Sequence, residues 1–312
     1  MKRILITGVA GFIGSNLAKR LLSEGYQVIG IDNLSAGVIE QVPSGVEFHK
    51  LDIRSNEIFP YFEHIDYVFH LAAKNCISDC QKDPVETADI NVTGTVKVFE
   101  AARRAQVKKV IYAESSALYE GSSVLPSPED ALKPQSFYSM SKLASMYFAE
   151  AYQRFYQMNF TALRYFCVYG PNQDYRRTIP PLMSAFIIHL LQGKKPTIYG
   201  TGNKRRDFVY VDDVNDFHLL CLNNPKTDGK VFNLGSGISH SVNEIFSLIS
   251  KLLHSNVKPL YMADLPGEAD TTLANIDAAK KIGWNPKTSM EEGLKHSIEY
   301  IRGKKGLLNG TL

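Results

Sequence analysis

At 312 residues the chain exceeds the usual size of a single hydrophobic core, so one large domain with an appended lobe, or two domains, is expected. It is 44% hydrophobic and 21% charged, the composition of an ordinary folded chain and not of a disordered one. A net charge of +3, no basic run beyond residues 204–206 and no interleaving of aromatic with basic residues argue against nucleic acid as a partner, and no apolar run is long enough for a membrane span.

Ile4, Leu5 and Ile6 read as a buried parallel strand, and Leu17, Leu21 and Leu22 recur at helical spacing behind it. Between them Gly8, Gly11 and Gly14 are spaced G-x-x-G-x-x-G, which permits a tight turn, close approach of backbone N–H groups to a pyrophosphate and close packing of helix on strand. Gly25 stops the helix, and residues 28–31 make a second buried strand that ends at Asp32. Asp32 lies eighteen positions after Gly14, where a dinucleotide-binding unit places a carboxylate for the adenosine ribose hydroxyls. Its charge would repel the extra phosphate of NADP, so NAD is the expected cofactor. The strand runs straight into this turn and not into a signal-peptide cleavage pattern, and a cytoplasmic protein is expected.

Residues 33–37 form a polar turn, and a third strand over 46–50 runs into Leu51, Asp52 and Ile53. Asp52 has two readings, an acceptor for the adenine amino group or an N-cap for the short segment behind it. Residues 67–71 form the fourth strand, and small Ala72 and Ala73 behind it suit either a flat cofactor or plain tight packing. Residues 84–106 read as helix with Ile90, Val98, Phe99 and Ala102 on one face, and residues 108–113 as the fifth strand. This alternation implies a doubly wound parallel α/β sheet of Rossmann type, with its ligand crevice at the carboxyl ends of the strands. Cys76, Cys80, Cys167 and Cys221 are too few and scattered for a disulfide framework or a zinc site; they read as free thiols, and no metal is expected.

Tyr138 and Lys142 stand four apart on a periodic helical segment, so the phenol and the ammonium project from one face. A cation beside a phenol favours the phenolate and makes Tyr138 a candidate base near neutral pH. Ser115, just past the fifth strand, can reach the same substrate oxygen.

TGVAGFIGS, DNLSAG, LDIR, HLAA, NVTGT, SSALY, YSMSK, LRYFCVYGPN and GNKRRDFVYVDDV occur in that order. They resemble the signatures of the extended short-chain dehydrogenase/reductase superfamily, in particular its NAD-dependent nucleotide-sugar epimerases and dehydratases, over residues 2 to about 300. The resemblance implies tightly held, recycled NAD, a UDP-sugar or other nucleoside-diphosphate sugar as substrate, and Ser115, Tyr138 and Lys142 as catalytic residues. It implies a homodimer built by helices around residues 91–105 and 138–157. Cofactor contacts are implied at Gly8, Gly11, Phe12, Ile13 and Gly14, then at Asp32, Asn33, Leu34 and Gly37 behind the second strand. Asp52, Ile53, Leu71, Ala72 and Ala73 follow at the next strand ends, with Asn91, Tyr138, Lys142, Tyr165 and Val168 completing the set. For the substrate it implies Ser115, Ser116, Cys167 and Leu182, with Thr197 and Tyr199 against the nucleobase and Arg206 on the diphosphate. The alternative for Arg206 is a surface ion pair with Asp207.

The cofactor domain is expected over 1–170 with a return segment at about 208–236, and a smaller α/β lobe over 171–207 plus 237–312. Residues 162–166 continue the sheet, and a stretch with Arg176, Arg177, Pro180 and Pro181 opens the lobe. A strand over 208–211, a helix over 212–222 and a strand over 231–234 are expected to return to the first domain. Residues 241–253 read as an amphipathic helix, residues 277–282 with Trp284 are expected to close the lobe, and the end from Gly303 to be frayed.

The family's reactions share a first half, in which a tyrosine takes a sugar hydroxyl proton and the carbon-bound hydrogen leaves as hydride. The dehydratases then need an Asp-Glu pair in a pattern resembling T-D-E-V-Y, whereas this chain carries Ser115-Ser116-Ala117-Leu118-Tyr119. That favours a 4-epimerase of a UDP-hexose or UDP-N-acetylhexosamine acting through a 4-keto sugar. A dehydratase, a net oxidoreductase and a non-catalytic NAD-binding relative are the alternatives. Three residues depart from the epimerase pattern: Glu114 for a small residue, Cys167 for an Asn, and Leu265 for an Arg that clamps diphosphate. Arg177, Lys204 and Arg205 are the candidates to replace that charge. Glu114 is either an extra acid/base or a packed strand-end residue pointing opposite to Ser115.

Overall fold

The computed structural model describes residues 1–173, 180–264 and 269–304. Arg176, Arg177, Leu265 and the chain end from 305 lie outside the described residues. The first half runs β1 (Arg3–Thr7), α1 (Phe12–Ser23), β2 (Gln27–Asp32), β3 (Glu47–Lys50), β4 (Tyr67–His70), α2 (Ile77–Lys82), α3 (Pro84–Ala88), α4 (Thr95–Arg104), β5 (Lys109–Ser115), α5 (Phe137–Tyr156), β6 (Phe160–Tyr165) and β7 (Cys167–Tyr169). The second runs α6 (Leu182–Leu191), β8 (Thr197–Tyr199), β9 (Arg205–Tyr210), α7 (Val211–Asn223), β10 (Lys230–Leu234), β11 (Ser239–Ser241), α8 (Val242–Leu253), β12 (Leu260–Met262), α9 (Asp277–Lys281) and α10 (Met290–Arg302).

Seven strands form one parallel sheet in the order β3-β2-β1-β4-β5-β6-β10. Both faces are covered, which is why the strands are apolar almost throughout. Ile4, Ile6, Ile111 and Leu163 face the layer of α1 and α7, and Leu5, Val68, Val110 and Ala162 face the layer of Val98, Phe99 and Ala149 from α4 and α5. The strand order reverses between β1 and β4, and that switch point opens a crevice at their carboxyl ends. A separate core of Met183, Phe186, Ile187, Ile245, Ile249, Leu294 and Ile298 holds α6, α8 and α10 together in the lobe.

Three expectations are corrected. The helix expected over 84–106 runs from Pro84 to Arg104 but is not regular, because a π turn over Asp89–Gly94 lies between α3 and α4. The extra residue in that turn lets buried Asn91 reach Lys74 and Ser141, and a Cβ on Gly94 would come within 2.7 Å of Ile53. β9 does not enter the large sheet: it pairs parallel with β7 and antiparallel with β11, while α7 and β10 do return. Trp284 packs edge-on against Phe217 of α7 and donates to the Asp213 carbonyl at 2.8 Å, so its segment clamps the α7 side of the large sheet and not the lobe core.

Candidate active site

Gly8 sits at φ +77, and a Cβ there would lie 2.8 Å from the Ala72 nitrogen at the end of β4; a Cβ on Gly14 would lie 2.2 Å from the Gly8 carbonyl. The turn therefore closes only on glycines. Gly11 is the N-cap of α1 and brings no side-chain cap, which leaves the first N–H groups of Phe12, Ile13 and Gly14 for an anionic ligand. Buried Asp32 accepts from Ala10 N at 3.0 Å and Leu34 N at 2.8 Å, and Leu34 takes a left-handed φ of 60 to make that bond. Burial raises the Asp32 pKa, and these two backbone donors oppose the rise. Gly37 lies against the same carboxylate, where a Cβ would come within 2.9 Å.

At the next strand end, Asp52 accepts from the Arg54 guanidinium at 2.8 and 2.9 Å, from Arg54 N at 2.8 Å and from Asn33 Nδ2 at 2.9 Å. Arg54 holds this carboxyl well below its ordinary pKa. The N-cap reading fails for Asp52, since Ser55 caps the 3-10 helix over Asn56–Phe62. Ile53 is buried against Gly94, and Leu71, Ala72 and Ala73 follow β4 as half-buried residues. Asn91 holds the chain behind Ala73, accepting from Lys74 N at 2.8 Å and donating to Lys74 O and Ser141 Oγ at 2.9 Å.

Ser115 ends β5, and its Oγ accepts from Ala117 N at 3.2 Å to cap the 3-10 turn of Ser116–Tyr119. Tyr138 stands in the first turn of α5 and is 9% exposed. Lys142, one turn on, donates from Nζ to the Ala113 carbonyl at 3.0 Å and lies 6.0 Å from the centroid of the Tyr138 ring. Burial pulls the Lys142 pKa down to about 8, with Glu114 opposing the fall. Beneath Lys142, His70 bridges Thr7 at 2.7 Å and Thr95 at 2.9 Å; burial first, and Lys142 second, push its pKa down to about 3, so it is neutral.

Glu114 is a packed residue. Its carboxylate accepts from Arg164 Nε at 2.6 Å and from Tyr112 OH at 3.0 Å, and neither side chain of the ion pair is more than 2% exposed. Arg164 reaches on to Tyr119 OH at 2.9 Å and to the Glu129 carbonyl. The pair forms because Glu114 and Arg164 are register partners of β5 and β6, a pairing that single-strand patterns do not reveal.

Strand register also links Ser115 to the lobe. Ser115 pairs with Tyr165, Cys167 two residues on pairs with Phe208, and Arg206 lies two residues before Phe208. Tyr165 directs its hydroxyl to His218 at 2.7 Å, and Val168 closes a tight bend through Phe166 O at 2.7 Å. Arg206 donates to the Arg205 and Ala269 carbonyls at 3.0 and 2.8 Å. Its alternative partner is otherwise engaged: Asp207 accepts from Ser236 N, Ser236 Oγ, Gly237 N and Ala274 N at 2.6–3.0 Å. Thr197 and Tyr199 flank buried Ile198 on β8 and so face away from the lobe core, and half-buried Leu182 opens α6. Arg205 is tied to Glu244 and Ser239, and Lys204 to Asp264 at 2.6 Å.

A glycine cradle at the switch point, a carboxylate behind β2 and a Ser/Tyr/Lys constellation behind β5 agree with the comparison of whole sequences, in which residues 4–235 match the NAD dependent epimerase/dehydratase family. The chain belongs to that family. A putative UDP-glucose 4-epimerase of Methanocaldococcus jannaschii is 34% identical over 96% of this chain and 98% of its own length. The structure of UDP-glucose 4-epimerase with UDP-glucose from Thermotoga maritima superposes with a TM-score of 0.93 at 34% identity, covering 97% of this chain and 99% of that one. The UDP-N-acetylglucosamine 4-epimerase of Methanobrevibacter ruminantium, in complex with UDP-N-acetylmuramic acid, does so with a TM-score of 0.93 at 30% identity, covering 97% and 99%. The cofactor of this family member is NAD, and the side-chain-free cradle with the Asp32 carboxylate fits it. Among the described residues no group of His, Cys, Asp and Glu is arranged to hold a metal, and no helix is long and apolar enough to cross a membrane.

Proposed function

We propose that the protein is a 4-epimerase of a UDP-hexose or UDP-N-acetylhexosamine, with Tyr138, Lys142 and Ser115 as its catalytic residues. The observation that carries this reading is the fate of the two carboxylates around the 115–119 turn. Glu114 is spent on Arg164, and Glu120 accepts from Ser136 N and Oγ and from Ser139 Oγ. Elimination of water needs an acid and a base beside the catalytic serine, and neither carboxylate is available for that work.

Gly8, Gly14 and the open α1 N-terminus would hold the pyrophosphate, Asp32 the adenosine ribose, and Lys142 the nicotinamide ribose. Bound there, NAD supplies a reversible acceptor for the hydrogen on the sugar's C4. Tyr138 takes the C4 hydroxyl proton and later returns it; Ser115 orients that oxygen; Lys142 as a cation favours the phenolate. Arg206 binds the diphosphate, for which a planar guanidinium suits paired oxygens, while Thr197 and Tyr199 border the base, Ser116, Cys167 and Leu182 the sugar. The same reading makes the protein cytoplasmic, with residues 171–207 and most of 237–312 as the substrate lobe. It also makes it a homodimer through α4 and α5, since Met140, Tyr147, Phe148 and Phe155 form an exposed apolar stripe on α5, Phe155 being 73% exposed.

The test is incubation without added NAD with UDP-glucose, UDP-N-acetylglucosamine and UDP-glucuronate in turn, with products resolved by proton NMR. A 4-epimer without net cofactor reduction supports the reading. Loss of water, or a keto sugar with stoichiometric NADH, moves the chain to the dehydratases or oxidases.

A further inference from the structure

The helix that carries Tyr138 and the turn that carries Ser115 come from segments joined by a long loop, yet their reactive oxygens must address one substrate oxygen. Lys142 of α5 ties the helix to β5 through the Ala113 carbonyl at 3.0 Å, and on the far side of the Ser115 turn a second side chain, Glu120, ties it to the helix N-terminus. Glu120 follows the Ser116–Tyr119 turn directly, and its Oε2 accepts from Ser136 N at 2.9 Å, Ser139 Oγ at 2.9 Å and Gln135 N at 3.3 Å, while Oε1 accepts from Ser136 Oγ at 3.0 Å. Ser136 is the N-cap of α5 and Ser139 its third residue, so the two serines bracket Tyr138.

A capping box ordinarily takes its reciprocal acceptor from a Glu or Gln at the third helical position of its own helix. Here that position is Ser139, whose Oγ accepts from Ser136 N at 3.0 Å and closes the box within the helix, and Glu120 adds to it a carboxylate from sixteen residues upstream of the cap. The carboxylate also meets the positive end of the helix dipole. Backbone bonds run alongside it, Lys133 N to Leu118 O at 2.8 Å and Gly121 N to Lys133 O at 2.9 Å, so the two segments are zipped on both sides of the carboxylate.

We infer that Glu120 is a positioning residue for the reaction, a cap supplied by the Ser115 turn that fixes Tyr138 relative to Ser115. This rests on the assignment of Tyr138 and Ser115 as catalytic. Glu120 touches neither substrate nor cofactor in this role; it acts by holding the two segments at one separation. A shift of about 1 Å in such a geometry costs on the order of a hundredfold in rate.

The experiment compares Glu120→Ala, Glu120→Gln and Glu120→Asp in the NAD-loaded protein, on whichever of UDP-glucose, UDP-N-acetylglucosamine and UDP-glucuronate the parent converts, with a cycle against Ser115→Ala. In Glu120→Ala, kcat is expected to fall at least tenfold with KM changed less than twofold. Glu120→Gln should behave alike, because its amide group faces donors, and Glu120→Asp should recover part of the rate. In the Ser115→Ala background Glu120→Ala should cost less than threefold, since the separation it maintains no longer matters. Hydrogen exchange, which needs no substrate, should rise in Glu120→Ala in residues 116–121 and 135–142 together. A merely structural cap would lower the melting temperature and leave kcat and the cycle additive. Unchanged kcat, full additivity, or exchange rising in one segment alone would overturn the inference. Glu120→Ala at full kcat beside an inactive Tyr138→Phe would sink only this inference, whereas an active Tyr138→Phe would sink the catalytic assignment beneath it.

Discussion

The cofactor half and the smaller lobe are built on different principles. In the first, β1, β2, β3, β4 and β5 end along one edge of a single sheet, and each end places one short motif: the glycine turn, Asp32, Asp52, Ala72-Ala73 and Ser115. In the lobe, three-residue strands β8 and β12 pair across sixty residues, β9 is held between β7 and β11, and Arg206 leans on Ala269. A sheet edge turns sequence motifs into a site with little help from distant contacts. A lobe of short strands leaves the ligand's fit to tertiary packing.

If this division is right, the largest effect belongs to the cofactor half. Tyr138→Phe should lower kcat by about 10²–10⁴-fold with bound NAD retained, measured by turnover and cofactor content; near-normal turnover would remove Tyr138 from its role. Next comes a change in the same half that alters stability. Glu114→Ala strands Arg164 as a buried, unpaired charge and should lower unfolding free energy by about 3–5 kcal/mol in denaturant titration; a change under about 1 kcal/mol would mean the pair is relieved by water. In the lobe, Arg206→Ala should act on binding alone. KM is expected to rise roughly 10–100-fold, with kcat and stability nearly unchanged, and a loss confined to kcat would place Arg206 on the reacting end of the substrate.

The smallest effect, counted per pH unit, is on pH dependence. His70 and His218 are buried with pKa values pushed down to about 3, below the usual 6.5 or so of the unfolded chain. The unfolded chain therefore binds more protons in this window. Stability is complete above the unfolded value and falls as pH drops toward 3, by roughly 1.4 kcal/mol per pH unit for each group. His218→Gln should remove part of that slope, and a wild-type stability flat between pH 6.5 and 4 would contradict the buried neutral state.

Much of the cofactor half was legible because its signals are local. Gly8, Gly14 and Asp32 lie within one strand-turn-helix-strand unit, and Tyr138 and Lys142 lie one helical turn apart. What was not legible depends on register or on long loops. Arg164 beside Glu114 follows from β5 pairing with β6, the π turn at Asn91 accompanies a tertiary hydrogen bond, and Trp284 on α7 follows from a contact across sixty-seven residues. Glu120 left no local trace either, because the Ser-x-x-Ser cap at 136–139 closes on itself and the carboxylate reaches it only through the fold. On the proposed function, the identity of the sugar depends on packing around Cys167, which no spacing encodes.

The central claim, that hydrogen leaves and returns at C4 within one active site, is tested most directly with a UDP-sugar carrying deuterium at C4. The label should remain at C4 in both substrate and 4-epimer after equilibration in ordinary water, with no solvent hydrogen entering elsewhere in the ring. Washout from C4, or solvent exchange at C5 together with loss of water, would contradict it.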